Sequence, residues 1–256
     1  MGNNKKGYFA SDFHLGLAGE DTNHNREKRI VEWLNQVAED AHSIYLLGDT
    51  FDFWFEYKKV VPRGFVRFLG TLARICDQGI EVYMFKGNHD MWLQDYLEKE
   101  IGVKIISHDL KVNINGVSLY MHHGDGVGPG DYGYKFIKAV FRNPISNWLF
   151  ARIHPNWGVA LAQFLSNRSR KSNFRSDQVY LGDNKEYITL YAKALLQNEK
   201  YDYLIFGHRH LPLEIKLTEQ STYVNLGEWM HHFTYAELDG KKLKLKTFTG
   251  DIMATQ

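Results

Sequence analysis

Aspartate, asparagine and histidine recur beside glycine in short clusters along this chain of 256 residues, and each cluster directly follows an apolar stretch. The clusters are Asp12-Phe13-His14, Gly48-Asp49, Gly87-Asn88-His89-Asp90, His122-His123-Gly124-Asp125 and Gly207-His208-Arg209-His210. Carboxylate, amide and imidazole groups bind divalent metals, and carboxylates and imidazoles also exchange protons. The pattern therefore indicates metal-dependent or acid–base chemistry.

The candidate metal ligands offer oxygen and nitrogen atoms and no thiolate: Asp12, His14, Asp49, Asn88, His123, His208 and His210. Such a set suits Mn²⁺, Fe²⁺ or Zn²⁺ and argues against copper(I) or an iron–sulfur cluster. Seven ligands are too many for one tetrahedral ion, but they suit two ions that share a carboxylate. Two ions roughly 3.5–4 Å apart can clamp the attacking and leaving oxygens of a displacement at phosphorus. We therefore expect two divalent ions, with Mn²⁺ the preferred identity.

The first three clusters follow runs that read as strands in a β-α-β-α-β series. Strands are predicted at Tyr8–Ala10, Ile44–Leu47 and Glu81–Phe85, with helices at Arg26–Glu39 and Phe65–Ile75. The helices are indicated by apolar residues at intervals of three and four. Because ligands bind outside the carboxyl ends of strands in such sheets, the distant clusters are expected to converge on one crevice.

The second half of the chain is rich in predicted antiparallel strands. Val112–Ile114 and Val117–Met121 form a predicted hairpin around an Asn-Gly turn. Further strands are predicted at Tyr203–Phe206, Tyr223–Leu226, Thr234–Leu238 and Leu243–Phe248. Between the two groups lies a basic, aromatic stretch, residues 131–176, with eight basic residues against one acidic residue and helical spacing broken at two prolines. We expect one domain over residues 1–256, with this stretch as a helical cap insertion.

Composition excludes several classes of protein. Lys and Arg number 31 against 30 Asp and Glu, which argues against a globally basic nucleic-acid coat and an acidic disordered chain. The single Cys76 excludes an internal disulfide framework and a cysteine-only metal site. No apolar run reaches the ~18 residues of a membrane span, and no signal peptide is visible. A cytoplasmic protein is expected, with peripheral contact at the inner face of the cell membrane as a further hypothesis.

The clusters resemble the motifs of the calcineurin-like metallophosphoesterases: D-x-H, G-D-x-x-D, G-N-H-D, a histidine beside glycine, and G-H-x-H, in this order. The resemblance implies a four-layer α/β/β/α sandwich. It implies one metal held by Asp12, His14, Asp49 and His210, and a second held by Asp49, Asn88, His123 and His208. It also implies that His89 faces the scissile phosphate and that Asp52 orients its imidazole and favours its protonated form. Asn88 would assist by hydrogen bonding to a phosphate oxygen.

A branch of this family that acts in lipid A synthesis, the UDP-2,3-diacylglucosamine diphosphatases, is similar over further residues. The shared features are the run from Tyr45 to Trp54, a cap between the fourth and fifth motifs, and the residues Asp131, Tyr134, Ser169 and Asn173, which the resemblance implies are substrate contacts. In that branch the cap and site pocket bind acyl chains and sugar phosphate. Independently, Arg168, Arg170 and Lys171 could pair with phosphate oxygens.

Alternatives stay open because members of that branch often have Arg and Glu where this chain has His89 and Asp52. The main prediction is hydrolysis of a nucleotide-linked acylated sugar, UDP-2,3-diacylglucosamine, to UMP and a lipid sugar phosphate. The second is action on another nucleotide or phosphodiester. The third is a non-enzymatic scaffold. The basic aromatic cap could also rest on anionic lipid, or be an ordinary solvated face, whereas no nucleic-acid recognition motif is present.

Overall fold

The computed structural model describes residues 6–17, 23–128, 132–177, 179–182 and 185–250, apart from the side chains of residues 23, 133, 134 and 167–177. The helices in these ranges are α1 (Asn23–Val37), α2 (Val66–Asp77), α3 (Tyr96–Ile101), α4 (Tyr132–Arg142), α5 (Pro144–Phe150), α6 (Pro155–Asp177) and α7 (Tyr187–Leu195). The strands are β1 (Lys6–Ala10), β2 (Ala41–Leu46), β3 (Glu81–Phe85), β4 (Lys104–Ile106), β5 (Leu110–Ile114), β6 (Val117–His122), β7 (Tyr203–Phe206), β8 (Pro212–Lys216), β9 (Thr222–Leu226), β10 (Thr234–Asp239) and β11 (Lys242–Thr247).

The strands form two mixed sheets. The first has the order β11-β10-β1-β2-β3-β4, and its strands β1 to β4 run parallel. The second has the order β5-β6-β7-β9-β8, with β6, β7 and β9 parallel. Parallel neighbours end at the same edge of their sheet, so the loops that leave β1, β2 and β3 are brought side by side, as are those that leave β6 and β7.

Successive side chains of a strand point to opposite faces of the sheet, so each strand contributes to two apolar layers, one beneath the helices and one between the sheets. In β1, Tyr8 and Ala10 face the helices, whereas Phe9 faces the other sheet. Phe9 stacks on Tyr45 of β2 with ring centroids 4.9 Å apart, and both belong to the apolar layer between the sheets. Leu119 of β6 enters that layer from the second sheet. The two sheets therefore pack face to face.

Helices cover the outer face of each sheet. Trp33 of α1 and Phe68 of α2 are fully buried against the first sheet. Ile188 and Ala192 of α7 are fully buried against the second, beside Phe206 of β7. This order of helix, sheet, sheet and helix confirms the predicted α/β/β/α sandwich.

Three helices, α4 to α6, occupy residues 132–177, which is the stretch predicted as the cap. Both prolines that interrupt its spacing stand at the first position of a helix, Pro144 in α5 and Pro155 in α6, where a missing N–H costs nothing. The Asn143 side chain accepts a hydrogen bond from the Ile145 backbone and caps α5. The cap thus consists of two shorter helices followed by the long helix α6, and α5 and α6 each begin at a proline.

Four elements have no counterpart among the predicted ones: α3, β4, α7 and β8. β4 has three residues and β8 lies at a sheet edge with only partial burial, so neither carries a full apolar pattern. No helix in the described part of the chain combines the length and apolarity that a bilayer crossing needs.

Candidate metal centre

The candidate ligands stand directly after the carboxyl ends of five strands. Asp12 and His14 follow β1, Asp49 follows β2, Asn88 follows β3, His123 follows β6, and His208 and His210 follow β7. Asp12, His14, Asp49 and His123 are almost wholly buried, at 0–1% exposure. Loops that are far apart in sequence therefore bring their polar side chains into one place between the edges of the two sheets.

Five of these side chains leave a left-handed backbone. The φ angles are 58° at Asp12, 45° at His14, 50° at Asp49, 67° at His208 and 56° at His210. This conformation costs roughly 1–2 kcal/mol for a residue with a Cβ atom, and it persists only where the surroundings enforce it. Its concentration here indicates that the loops are shaped to aim these side chains rather than to relax the chain.

One group of ligand atoms consists of Asp12, His14 and His210. The Nε2 atoms of His14 and His210 are 3.1 Å apart, and His210 Nε2 lies 3.2 Å from Asp12 Oδ1. The other carboxylate oxygen of Asp12 accepts a hydrogen bond from the His208 backbone N–H at 3.0 Å. The loop after β1 is therefore bonded to the loop after β7 through the same carboxylate that faces the two imidazoles.

A second group consists of Asp49, His123 and His208. His123 Nε2 lies 3.4 Å from Asp49 Oδ2 and 3.1 Å from Asn88 Oδ1. His123 Nδ1 lies 2.7 Å from the Leu47 carbonyl, to which it donates its proton. That bond leaves the Nε2 lone pair directed at the site, which is the usual arrangement of a metal-binding imidazole.

Asp49 lies between the two groups. Its Oδ2 atom is 3.4 Å from His123 Nε2 and 3.9 Å from His14 Nε2. A third overlapping group joins His14, Asp49 and His89. One carboxylate thus faces ligand atoms of both sets, which is the geometry that a bridging aspartate needs.

The buried carboxylates Asp12 and Asp49 require positive charge nearby, and histidines beside them supply part of it. Burial opposes protonation of His123, but the adjacent Asp49 carboxylate raises its pKa to about 10. Burial likewise opposes protonation of His210, and Asp12 raises its pKa. Burial, together with the charge of His123, lowers the pKa of His208 to about 4. Protons therefore stand in for part of the positive charge that metal ions would bring to the carboxylates.

Two observations indicate that these residues suit divalent metal ions. Asp12 Oδ1 is buried and, among the described residues, receives no well-directed hydrogen bond, although His210 Nε2 lies nearby. The Nε2 atoms of His14 and His210 face each other at 3.1 Å, so one of them carries a proton there, and a metal ion bound by both would take the place of that proton. Oxygen and imidazole nitrogen are ligands for Mn²⁺, Fe²⁺ and Zn²⁺.

His89 lies at the edge of the site with its ring against Asp52. Its Nδ1 atom is 3.0 Å from the Asp52 carbonyl and 3.5 Å from the Asp52 carboxylate, and its backbone N–H donates to Asp49 Oδ1 at 2.8 Å. The ring of His14 meets it edge-on at 4.9 Å. Asp52 therefore contacts the imidazole chiefly through its main chain, with the carboxylate farther away.

Sequence reasoning did not assign a role to Asp90, the fourth residue of the Gly87 motif. Its buried carboxylate accepts backbone hydrogen bonds from Gly87 at 2.7 Å, Thr50 at 2.8 Å and Phe51 at 3.2 Å. Asp90 thereby fastens the loop that carries Asp49 to the loop that carries Asn88. A Cβ atom on Gly87 would lie 2.2 Å from Asp49 Oδ1, so this close approach requires glycine.

A buried ion pair, also missed, supports the last motif. Arg209 stands between His208 and His210, and its Nε donates to Glu186 at 2.9 Å. Its Nη2 donates to the Val179 carbonyl at 2.6 Å. The alternation of the chain sends Arg209 away from the metal ligands and into this bond. The signal available in the sequence was a charged residue between two histidines after a buried strand.

The cap is held against the metal-site loops by aromatic and charged contacts. Trp92 Nε1 donates to the Phe141 carbonyl at 2.8 Å, and its ring stacks on Phe150 at 5.0 Å. Lys138 of α4 pairs with the buried Asp125 at 2.5 Å and bonds the Asp125 carbonyl at 2.9 Å. Both anchors belong to loops that carry candidate ligands or His89, so the cap is connected to the site through short chain segments.

The predicted substrate contacts of the cap have no described side chains. Asp131 lies outside the described residues. The side chains of Tyr134, Arg168, Ser169, Arg170, Lys171 and Asn173 are likewise outside them, although α4 and α6 include these positions. A cleft of about 380 Å³ between the core and α6 is lined by Asp52, Phe53, Arg63, Asn156 and Gln163, among others. A larger cavity, about 870 Å³, lies between α3 and α5 and includes none of the candidate ligands.

The chain is similar to known phosphoesterases and hydrolases. The family model described as calcineurin-like phosphoesterase matches residues 8–212. A UDP-2,3-diacylglucosamine hydrolase from Porphyromonas gingivalis is 37% identical over an alignment of 256 positions, and the alignment covers 94% of this chain and 96% of that protein. Another from Actinobacillus succinogenes is 23% identical over 241 residues, 94% of this chain and 99% of that protein. Among solved structures, the phosphoesterase Yfce from E. coli aligns with a TM-score of 0.45 at 17% identity, over 94% of this chain and 92% of that one.

Proposed function

Because this chain belongs to the calcineurin-like phosphoesterase family, we propose that it hydrolyses the pyrophosphate bond of UDP-2,3-diacylglucosamine and releases UMP and a lipid sugar phosphate. Curated relatives that match nearly the whole chain carry the name UDP-2,3-diacylglucosamine hydrolase, which supports this substrate. The observation that carries the chemistry is the position of the Asp49 carboxylate between two groups of ligand atoms.

We assign the ligands by this geometry. One metal ion would be held by Asp12, His14, Asp49 and His210, and the other by Asp49, Asn88, His123 and His208. We propose Mn²⁺ for both positions, with Fe²⁺ and Zn²⁺ as the alternatives that the same donor set accepts. When bound, a pair of divalent cations neutralises phosphate charge and supplies a nucleophile from water at neutral pH.

The chain's own groups orient and stabilise the phosphate. The Asn88 side chain presents its oxygen toward His123, and its NH₂ group can donate to a phosphate oxygen. His89 directs Nδ1–H to the Asp52 carbonyl, so Nε2 is on the other side of the ring, and as the imidazolium the ring can donate from Nε2 to the phosphate. A phosphate leaving group has a second pKa of about 6 and departs as an anion. His89 therefore stabilises developing charge more than it needs to transfer a proton.

The cap offers apolar surface for acyl chains. Its exposed large apolar residues are Tyr132, Phe136, Ile137, Val140, Ile145, Trp148, Leu149, Trp157, Leu161, Phe164 and Leu165. Trp157 is 73% exposed and Phe136 is 70% exposed. So many exposed large apolar side chains within one insertion are typical of a binding site for a lipid or a partner. This surface supports a substrate with two acyl chains.

Release of UMP tests the proposal directly. The purified chain, loaded separately with Mn²⁺, Fe²⁺ or Zn²⁺, is incubated with UDP-2,3-diacylglucosamine, and UMP is quantified by chromatography. We expect metal-dependent release that Asp49→Asn abolishes and that Asp77→Asn, at the exposed end of α2, leaves intact. Good turnover of bis(4-nitrophenyl) phosphate without release of UMP would refute the substrate and leave the phosphoesterase chemistry standing.

A second function is favoured by His89 and Asp52, the pair that resembles the wider superfamily: hydrolysis of another nucleotide or phosphodiester. The cap distinguishes the two. Under the main proposal, Phe136→Ser combined with Trp157→Ser raises KM for the acylated substrate and leaves turnover of bis(4-nitrophenyl) phosphate unchanged. Equal rates on every substrate would favour the second function. Deletion of residues 131–176 is a harsher test, because it uncovers the Trp92 ring.

We also propose that the exposed apolar residues of the cap make peripheral contact with an anionic membrane, since apolar rings beside basic residues bind such surfaces. Flotation with vesicles of phosphatidylglycerol and phosphatidylethanolamine measures this contact. The paired serine variant should reduce co-flotation, and vesicles of phosphatidylcholine alone should bind less. Equal recovery of wild type and variant would contradict a role of this face in membrane contact.

A further inference from the structure

Ser166 of α6 is a side chain of the cap that contacts His89 and Asp52. Its hydroxyl lies 3.4 Å from His89 Nδ1 and 3.5 Å from Asp52 Oδ1. His89 and Asp52 come from two different core loops, and Ser166 comes from a helix inserted more than seventy residues later in the chain. The catalytic histidine assigned above is therefore in contact with the cap before any substrate is present.

The hydrogen-bonding chemistry of the three groups is complementary. The Asp52 carbonyl accepts only, and at 3.0 Å it requires His89 Nδ1 to carry a proton. A serine hydroxyl both donates and accepts, so it can accept from Nδ1–H while it donates to the Asp52 carboxylate. Each proton then has an acceptor, and the imidazole ring is held in the orientation that turns Nε2 toward the phosphate.

The position of α6 agrees with this contact. Asn156, Val159 and Gln163 line the cleft beside Asp52, and they stand at helical intervals that continue to Ser166. These residues form the face of α6 that borders the cleft. Trp92 and Lys138 tether the cap elsewhere, so the approach of Ser166 does not depend on its own bonds alone.

We propose that Ser166 is a positioning residue, which orients His89 from the cap and so couples the seating of the cap to the phosphoester chemistry. The proposal rests on the proposed function to the extent that His89 acts on the phosphate. It predicts that Ser166 affects every phosphoester substrate, because its contacts are with His89 and Asp52, which act on the phosphate common to all of them. A residue that binds only acyl chain or sugar would affect the acylated substrate alone.

Steady-state kinetics separate these roles. Ser166→Ala, Ser166→Thr and the control Ser146→Ala, a serine of α5, are assayed with bis(4-nitrophenyl) phosphate and with UDP-2,3-diacylglucosamine. Loss of one hydrogen bond predicts about a fivefold fall in kcat for Ser166→Ala on both substrates, with KM within about twofold. Ser166→Thr should restore at least half of the loss, and Ser146→Ala should match wild type.

A spectroscopic measurement on the metal-free protein gives an independent result. In ¹⁵N-histidine-labelled protein, long-range ¹H–¹⁵N spectra distinguish the protonated from the unprotonated ring nitrogen, and His89→Gln identifies the signal. Wild type should show Nδ1–H, and Ser166→Ala should shift the Nδ1 resonance, because that N–H loses one of its two acceptors and keeps the Asp52 carbonyl. Unchanged kcat and unchanged nitrogen shifts would overturn the proposal, as would a KM effect confined to the acylated substrate. Failure to release UMP would refute the proposed substrate, while the other substrate and the spectra still test Ser166.

Discussion

The metal-site loops and the cap are built in opposite ways. Around the metal site, polar side chains are buried, and backbone bonds join neighbouring loops: Asp12 N–H donates to the Gly48 carbonyl at 3.0 Å and His14 N–H to the Asp49 carbonyl at 2.9 Å. On the cap, large apolar side chains such as Trp157 are exposed, and a few contacts hold the helices to the core. The rigid region suits a reaction that is the same for many phosphoesters, whereas the exposed region suits the choice of one substrate.

The difference is also one of enforced conformation. Five candidate ligands keep left-handed backbones that unrestrained residues would avoid. Their loops are fastened by Asp90 and by the bond of Asp12 to the His208 backbone. Substitutions at the metal site should therefore remove chemistry, and substitutions on the cap should change affinity or docking by smaller amounts.

The largest effect is expected for Asp49→Asn. The neutral amide removes the shared negative charge between the two groups of ligands, and several kcal/mol of transition-state stabilisation with it, so kcat/KM should fall about a thousandfold or more. Metal content measured by mass spectrometry should fall in parallel, and Asp77→Asn should retain both. An Asp49→Asn protein with full activity and two bound metals would contradict the bridging assignment.

His89→Gln should lower kcat about a hundredfold, because a positioned imidazole contributes charge stabilisation or proton transfer of this order. Metal content decides how it acts, since His89 also lies near His14 and Asp49 as a possible ligand. We expect the metals to remain bound in this variant. Loss of one metal together with activity would assign His89 to metal binding instead.

The affinity for metal should rise with pH. Asp49 raises the pKa of His123 to about 10, so at neutral pH a metal ion must displace the proton of that group. Asp12 raises the pKa of His210, which adds to the protons displaced as the pH falls. Each displaced proton strengthens binding about tenfold per pH unit below the pKa of its histidine. Calorimetric titration with Mn²⁺ at pH 7 and pH 8, in two buffers of different ionisation enthalpy, measures the affinity and the protons released. An affinity independent of pH would contradict protonated ligands in the metal-free protein.

Much of this comparison is accessible from sequence. β3 and β7 have the bounds that their apolar runs predict. Loops meet at the carboxyl ends of parallel strands, and this rule predicts from sequence that Asp12, Asn88 and His208 lie close together. Period and turn chemistry are local properties, so they can be recognised without a structure. The role of Asp90 was within reach, because a carboxyl group in a glycine-rich loop often accepts backbone hydrogen bonds.

Other features depend on tertiary contacts and have no local signal. The left-handed φ at His14 is set by bonds to the loop of Asp49, which is distant in sequence. The approach of Ser166 to His89 depends on how the cap docks, and a serine in a helix is otherwise unremarkable in sequence. β8 was missed because an edge strand with half-buried residues lacks strict alternation.

The smallest effect is expected where the cap meets the core. Trp92→Phe keeps an aromatic ring against Phe150 but removes the hydrogen bond to the Phe141 carbonyl. One such bond contributes about 1 kcal/mol, so urea denaturation should show a loss of about that size in the free energy of unfolding if the cap unfolds with the core. Trp157→Phe, on the exposed face, should change it by less than about half as much. Trp92→Phe could instead leave global unfolding unchanged and speed hydrogen exchange in α4. That result would show that the cap opens independently of the core, so that the cap is locally less stable than the metal-site loops.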